Sequence, residues 1–142
     1  MVASNHRLRV ALIFGGRSGE HDVSVVSARS VAGALDRQRY EVVSMAIDRD
    51  GRWADPGTAA RVLAESGDRT DQVLAFEGRS KLDPRILEET VDVAFPILHG
   101  PFGEDGTIQG LFEMLDLPYV GCDPTASAVC MDKALTKRLL VE

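Results

Sequence analysis

The sequence predicts an α/β fold, in which helices flank an open, mostly parallel sheet, and three observations lead to this prediction. Two near-continuous apolar runs, at 8–14 and 91–98, are typical of strands that are buried on both faces of a parallel sheet. Segments with helical spacing alternate with the predicted strands along the chain. Glycine-rich loops directly follow both runs, and the carboxyl ends of parallel strands are where such sheets bind ligands.

The composition is that of one ordinary globular domain. Of 142 residues, 44% are hydrophobic and 27% are charged, which excludes a disordered or low-complexity chain. The net charge of -6 argues against a nucleic-acid partner. No apolar stretch approaches the roughly 20 residues of a membrane helix, so we expect no membrane partner either. Cys122 and Cys130 fit a reduced, cytoplasmic chain, in which we expect both to be packing residues.

The first third of the chain predicts a right-handed βαβ unit. Its strands are placed at 8–14 and 40–47, with a helix at 22–36 between them. The predicted buried face of that helix has residues at helical spacing, namely Val23, Val26, Ser27, Ser30, Val31, Ala34 and Leu35. A tight turn at 48–51 then leads to a short edge strand at 52–53.

The middle of the chain shows weaker patterns than the first and last thirds. Residues 54–90 contain a predicted helix at 58–64 and a polar stretch around Gly67 and Gly78, and we assign no function to them.

The last third predicts three helices after the strand at 91–98. In the first, at 107–115, the apolar side chains follow helical spacing: Ile108, Leu111, Phe112 and Leu115. A short strand at 117–121 and a helix at 124–131 come next. Asp132 is predicted to cap a final helix, in which Leu135 and Leu139 share a face. That helix reaches Glu142 without a C-cap signal, so we expect the chain to be a fragment of a longer protein.

The loop after the first strand, GGRSGEHDVS at 15–24, predicts an amine-binding site. Its glycines do not match the dinucleotide pattern G-x-G-x-x-G, and it lacks the lysine of a P-loop. Glu20, in the first turn of the helix, would repel a phosphate and attract an ammonium group. The alternative is that Glu20 only complements the helix dipole.

The loop after the strand at 91–98 is HGPFGEDGTIQG, and it carries three polar candidates. His99 follows the strand directly, on the side where ligands bind, or it is a hydrogen-bonded histidine at a sheet edge. Glu104 and Asp105 either cap the following helix or, on weaker grounds, belong to a metal site. Farther on, Lys133 lies just inside a helix start, where a phosphate would balance its charge, or it is a solvated surface lysine.

Three segments together, FGGRSGEHDVS, HGPFGEDGTIQGLFE and LPYVGCDPTASAVCMDK, resemble the D-alanine-D-alanine ligase family over the whole chain. The resemblance implies a Rossmann-like pre-ATP-grasp domain. On this basis residues 1–122 are the N-terminal α/β substrate-binding domain, and 123–142 begin the central ATP-grasp region.

The resemblance also implies a reaction, in which ATP phosphorylates the carboxylate of one D-alanine and the amine of a second attacks it. The dipeptide serves peptidoglycan synthesis, and the implied enzyme is a cytoplasmic homodimer. By position, Glu20 is the catalytic and substrate-binding residue that holds the ammonium of the first D-alanine. His99 lies near its carboxylate, and Lys133 reaches toward ATP phosphate. The Mg²⁺ or Mn²⁺ ligands and the remaining catalytic residues are implied to lie beyond residue 142, so we expect this chain alone to be inactive.

Four other interpretations stay open at this stage. The first is a D-alanine-D-lactate ligase, because the region that separates it from a D-alanine-D-alanine ligase is implied to lie outside the sequence. A stand-alone amino-acid-binding module would use the same Glu20 loop without ATP. A nucleotide-binding Rossmann domain is disfavoured by Arg17, which stands where the second fingerprint glycine belongs. A dimerisation domain is compatible with catalysis.

Overall fold

The computed structural model describes residues 7–64 and 84–141, and its centre is a parallel sheet. Strand β1 (Leu8–Gly15) lies in the middle, with β2 (Tyr40–Ile47) on one side and β3 (Val93–Pro96) on the other. Ile13 is paired with Met45 of β2 and with Pro96 of β3. Because the strands are parallel, their carboxyl ends meet at one edge of the sheet. This order confirms the predicted fold class.

Helices cover both faces of this sheet. In chain order, the helices of the described residues are α1 (His21–Ala34), α2 (Pro56–Ala64), α3 (Pro84–Thr90), α4 (Thr107–Met114), α5 (Pro124–Met131) and α6 (Lys133–Val141). The first four contribute residues to the two core clusters. On β1, Ala11 and Ile13 belong to the core cluster that includes residues of α3 and α4. Leu12 and Phe14 belong to the cluster that includes residues of α1 and α2. The apolar run of β1 is therefore continuous because both faces of the strand are buried.

The predicted buried face of α1 is wrong. Val23 and Val26 are 54% and 55% exposed. The buried side is made instead by His21, Ser24, Val25, Ala28 and Ala32. Valines occur all round this helix, so helical spacing alone did not separate the two faces. Two buried alanines on the true face suit close packing of a helix on the sheet.

The predicted strands at 91–98, 52–53 and 117–121 are shorter in the structure. Val91 still bonds to Leu87, at the end of α3, and the Asp92 carboxylate accepts the backbone N–H of Arg9 at 2.7 Å. Strand β3 begins at Val93, after these bonds. The other two segments form only isolated bridges, Ile47 with Trp53 and Ala94 with Tyr119.

Several remaining predictions can be compared with the structure. Asp132 caps α6 as expected, because its Oδ1 accepts the N–H groups of Ala134 and Leu135 at 2.9 and 3.0 Å. Both cysteines are exposed, so the expectation that they are packing residues is wrong. The stretch around Gly67 and Gly78 lies outside the described residues. Among residues 7–64 and 84–141, none of the helices is long and apolar enough to cross a membrane.

Candidate functional site

The chain turns sharply at two glycines between β1 and α1, namely Gly15, the last residue of β1, and Gly16, the first residue of the loop at 16–20. Gly15 and Gly16 have φ angles of +90° and +96°, which side-chain-bearing residues rarely adopt. The Gly16 N–H donates to the Ile47 carbonyl at 2.8 Å. Beneath the loop, the buried His21 ring places Nδ1 2.7 Å from the Gly16 carbonyl oxygen. The turn brings the chain back over the sheet edge and starts α1 at His21.

Glu20 is the N-cap residue of α1, but its side chain makes no capping hydrogen bond. The carboxylate is exposed and lies against the loop that follows β3. A methyl group placed on Gly100, where φ is +69°, would lie 3.2 Å from Glu20 Oε2. The structure therefore brings the two glycine-rich loops together at Glu20. An acidic side chain that caps no backbone group is available to a cationic ligand.

His99 lies at the start of the second loop, next to Gly100. Its ring is half-buried, and the buried Nε2 has no hydrogen-bond partner among the described residues. Buried polar atoms are almost always bonded, so an unbonded one requires an explanation. A ligand group at this position would supply the partner. The alternative of a hydrogen-bonded histidine at the sheet edge finds no support at Nε2.

The other acidic residues of the second loop have structural roles. Glu104 Oε2 accepts the Gly100 N–H at 2.7 Å. Asp105 accepts the N–H groups of Phe102 and Thr107 at 2.9 and 3.0 Å. Asp105 thus bonds to the first N–H group of α4 from the residue before its N-cap, Gly106, whereas Glu104 holds the turn at Gly100. Within 7–64 and 84–141, we find no cluster of three His, Cys, Asp or Glu residues that could hold a metal ion.

The bonds to Asp105 predict a pH-dependent stability. Burial raises the pKa of this carboxyl group, but hydrogen bonds from Phe102 and Thr107 outweigh it and leave the pKa below its ordinary value. A lowered native pKa stabilises the fold above the unfolded-state pKa of about 3.9, and this contribution is lost as the pH falls through the native value. We expect Asp105→Asn to be less stable than wild type at pH 7, with the difference shrinking below about pH 4. Urea unfolding of both proteins at pH 7, 5 and 3 measures the difference in their free energies of unfolding. A difference that does not vary with pH would contradict this prediction.

Arg17 connects three loops at this edge of the sheet, a role that the sequence did not reveal. Its guanidinium lies 4.9 Å from the centre of the exposed Phe102 ring. Its aliphatic stem packs on Gly51, where an added methyl group would lie 2.6 Å from Cδ. Arg17 thus holds the turn after β2 and the loop after β3 against the loop after β1. These contacts join residues that are far apart in the chain, so no local sequence pattern predicts them.

Lys133 stands apart from these loops. It is exposed at the first position of α6, which packs against α5. In the described part of the chain, no hydrogen bond or ion pair involves its ammonium group. The structure places Glu20 beside the loop that carries His99, and no hydrogen bond or ion pair among the described residues connects Lys133 to either of them.

A cavity of about 430 Å³ lies elsewhere. It is lined by Phe112, Glu113, Asp116, Leu117, Pro118, Tyr119, Gly121 and Asp123, none of which belongs to the two glycine-rich loops. Burial raises the pKa of Tyr119, and the hydrogen bond to Glu113 raises it further. Because neither Glu20 nor His99 contributes to this cavity, we place the candidate site at the loops.

A family model described as "D-ala D-ala ligase N-terminus" matches residues 9–122. The chain belongs to this family. The match includes both glycine-rich loops, and so both Glu20 and His99. It confirms the family resemblance that the three sequence segments carry.

Relatives of this chain are named as D-alanine-D-alanine ligases. The chain is 48% identical to the D-alanine-D-alanine ligase A of Mesorhizobium japonicum, with 96% of this chain and 41% of the relative covered. It is 44% identical to the D-alanine-D-alanine ligase of Mycobacterium sp. (strain KMS), with 99% and 43% covered. The chain therefore spans about two fifths of the length of these relatives.

Solved structures of the family have the same fold. The D-alanine-D-alanine ligase of Coxiella burnetii superposes with a TM-score of 0.74 at 36% identity, over 95% of this chain and 41% of that one. The VanG D-Ala:D-Ser ligase of Enterococcus faecalis also has a TM-score of 0.74, at 32% identity, over 96% and 42%. A Bacillus anthracis D-alanine-D-alanine ligase, solved in complex with ATP, has a TM-score of 0.61 at 29% identity, over 94% and 36%.

Proposed function

We propose that this chain supplies the D-alanine-binding part of an ATP-dependent D-alanine-D-alanine ligase. The observation that carries the proposal is the position of the Glu20 carboxylate, which caps no backbone group and lies beside Gly100, next to His99. The names of the relatives and the match over 9–122 support the activity of the whole protein. Within that protein, the dipeptide product would serve peptidoglycan synthesis.

The two loops provide complementary groups for a small zwitterion. Glu20 would hold the ammonium group of the first D-alanine through a charge-assisted hydrogen bond. His99 Nε2, which lacks a partner in the described structure, would bond to the carboxylate of the same D-alanine. Gly100 leaves room at the contact, because any side chain there would approach Glu20 Oε2. The site thus positions the carboxylate that is to be phosphorylated.

Nucleotide contacts are proposed for a different part of the chain. ATP would supply the phosphoryl group that activates the first D-alanine, and Lys133 would balance phosphate charge from the exposed start of α6. We propose that Mg²⁺ or Mn²⁺ accompanies the ATP and is held mainly by other parts of the protein. We propose a cytoplasmic homodimer for the assembled enzyme.

D-alanine-dependent phosphate release tests the proposal. We expect the complete gene product to release phosphate from ATP when D-alanine is added, and the isolated 142-residue chain to release none. The measurement is a phosphate assay on both proteins at matched concentration, with L-alanine as the control substrate. Release by the isolated chain would contradict the proposal that the metal ligands and the remaining catalytic residues belong to other parts of the protein.

The second substrate needs its own measurement. The D-Ala:D-Ser specificity of one structural neighbour, and the lactate alternative, both concern the group that attacks the activated D-alanine. Supplying D-alanine with D-serine or D-lactate, and identifying the product by mass, separates the three ligases. Calorimetry with D-alanine in the absence of nucleotide detects the stand-alone binding module.

A further inference from the structure

Ser24 lies, fully buried, between the two loops of the candidate site. Its Oγ accepts the Gly15 N–H at 2.8 Å and donates its proton to the Ile97 carbonyl oxygen. Gly15 ends β1, and Ile97 is the residue after β3. One hydroxyl group therefore joins the carboxyl ends of two neighbouring strands, and a serine hydroxyl has only one proton to donate.

The two segments that the Ser24 hydroxyl joins each lead to a residue of the proposed site. The Ser24 N–H donates to the Glu20 carbonyl at 3.0 Å, which fixes Glu20 one helical turn before Ser24. The Ile97 N–H donates to the Ile13 carbonyl of β1 at 2.7 Å, and His99 follows two residues later. The Ser24 hydroxyl thus links the helix turn that carries Glu20 with the segment that carries His99.

Other serines of α1 do not have this position. Ser27 is only half-buried, and Ser30 is exposed and bonds within the helix, to the Val26 carbonyl at 3.3 Å. Removing the Ser24 hydroxyl would leave the buried Gly15 N–H and the part-buried Ile97 carbonyl without this partner. The separation of the two loops would then be held by fewer contacts.

We propose that Ser24 is a positioning residue, whose buried hydroxyl sets the separation between the Glu20 and His99 loops and so the affinity for the first D-alanine. This inference rests on the proposed function. Ser24 does not touch the substrate, and its effect acts through Glu20 and His99. The relevant loss is therefore in D-alanine binding, with the nucleotide interaction unaffected.

The test compares four variants of the complete gene product: Ser24→Ala, Ser24→Thr, Ser30→Ala and Glu20→Gln. Steady-state kinetics measure kcat and the KM values for the first D-alanine and for ATP. We expect Ser24→Ala to raise the D-alanine KM about tenfold and to change the ATP KM less than about twofold. Ser24→Thr, which keeps the hydroxyl, should restore most of the D-alanine affinity. Ser30→Ala, the same truncation on the exposed face of α1, should behave as wild type.

The outcomes separate this proposal from the proposed function. If Glu20→Gln raises the D-alanine KM but Ser24→Ala does not, the positioning role is overturned and the function stands. If Glu20→Gln has no effect, the substrate site itself is wrong, and the role of Ser24 is overturned with it. A parallel rise in both KM values for Ser24→Ala would indicate general destabilisation and would also overturn the proposal. Should Ser24→Ala fail to fold, Ser24→Cys, whose thiol is a weaker donor, carries the same expectation.

Discussion

Glu20→Gln is expected to raise the D-alanine concentration for half-maximal activity by roughly 10- to 100-fold in the complete gene product. Losing the charge removes a hydrogen bond between ions that is worth about 1.5–3 kcal/mol. The ATP KM should change little, because Lys133, the proposed phosphate contact, lies on α6. Steady-state kinetics with each substrate varied in turn provide the measurement.

Stability measurements on the same variant distinguish substrate binding from a helix-dipole role. The Glu20 side chain makes no capping hydrogen bond, so its removal should cost at most the dipole interaction, about 0.3–1 kcal/mol. Asp22→Asn is the matched control, because it removes an equal charge from the same helix end, where Asp22 pairs with Arg49 at 2.8 Å. If Glu20→Gln leaves the D-alanine concentration for half-maximal activity unchanged, Glu20 serves only to complement the helix dipole.

Gly15→Ala is expected to lower the free energy of unfolding by roughly 3 kcal/mol or more. The φ angle of +90° strains any residue with a side chain, and the added Cβ would lie 2.2 Å from the Ile47 carbonyl oxygen. That oxygen is backbone of β2 and accepts the Gly16 N–H, so it cannot move without breaking the sheet edge. Urea denaturation followed by circular dichroism measures the change.

Gly19→Ala is the control for this substitution in the same loop. Nothing lies within 4 Å of a Cβ at Gly19, and its φ is not in the left-handed region. We expect its free energy of unfolding to stay within about 0.5 kcal/mol of wild type. Equal stability losses in both variants would mean that the loop is sensitive to any alanine, and the geometric explanation for Gly15 would then be wrong.

The parallel sheet and two of its strands could be predicted because their signals are local. The apolar run of β1 is buried on both faces, and β2 was predicted with its observed bounds, Tyr40–Ile47. Glu20 was assigned to the start of a helix from its neighbours in the chain alone. Parallel strands then bring their following loops to one edge, so the proximity of the two glycine-rich loops also follows from the fold class.

The buried face of α1 could not be predicted in the same way. Val23 and Val26 are exposed although they fit a helical spacing, while Ser24 and Ala28 are buried. The position of a helix on a sheet depends on which side chains allow close approach and which backbone groups need partners. Ser24 is buried where its hydroxyl bonds to the Gly15 N–H and the Ile97 carbonyl. The periodicity of the helix shows neither of these two bonds.

By itself, the sequence determined the parallel α/β class, the family and the loops that carry Glu20 and His99, since each depends on short segments. The tertiary structure alone decided that Glu20 lies against Gly100, that Arg17 covers Phe102, and that Ser24 joins β1 to the segment after β3. The Ser24 to Ile97 bond spans 73 residues of sequence. Contacts over such separations form only when the whole sheet is assembled, so their partners are set by packing and not by local pattern.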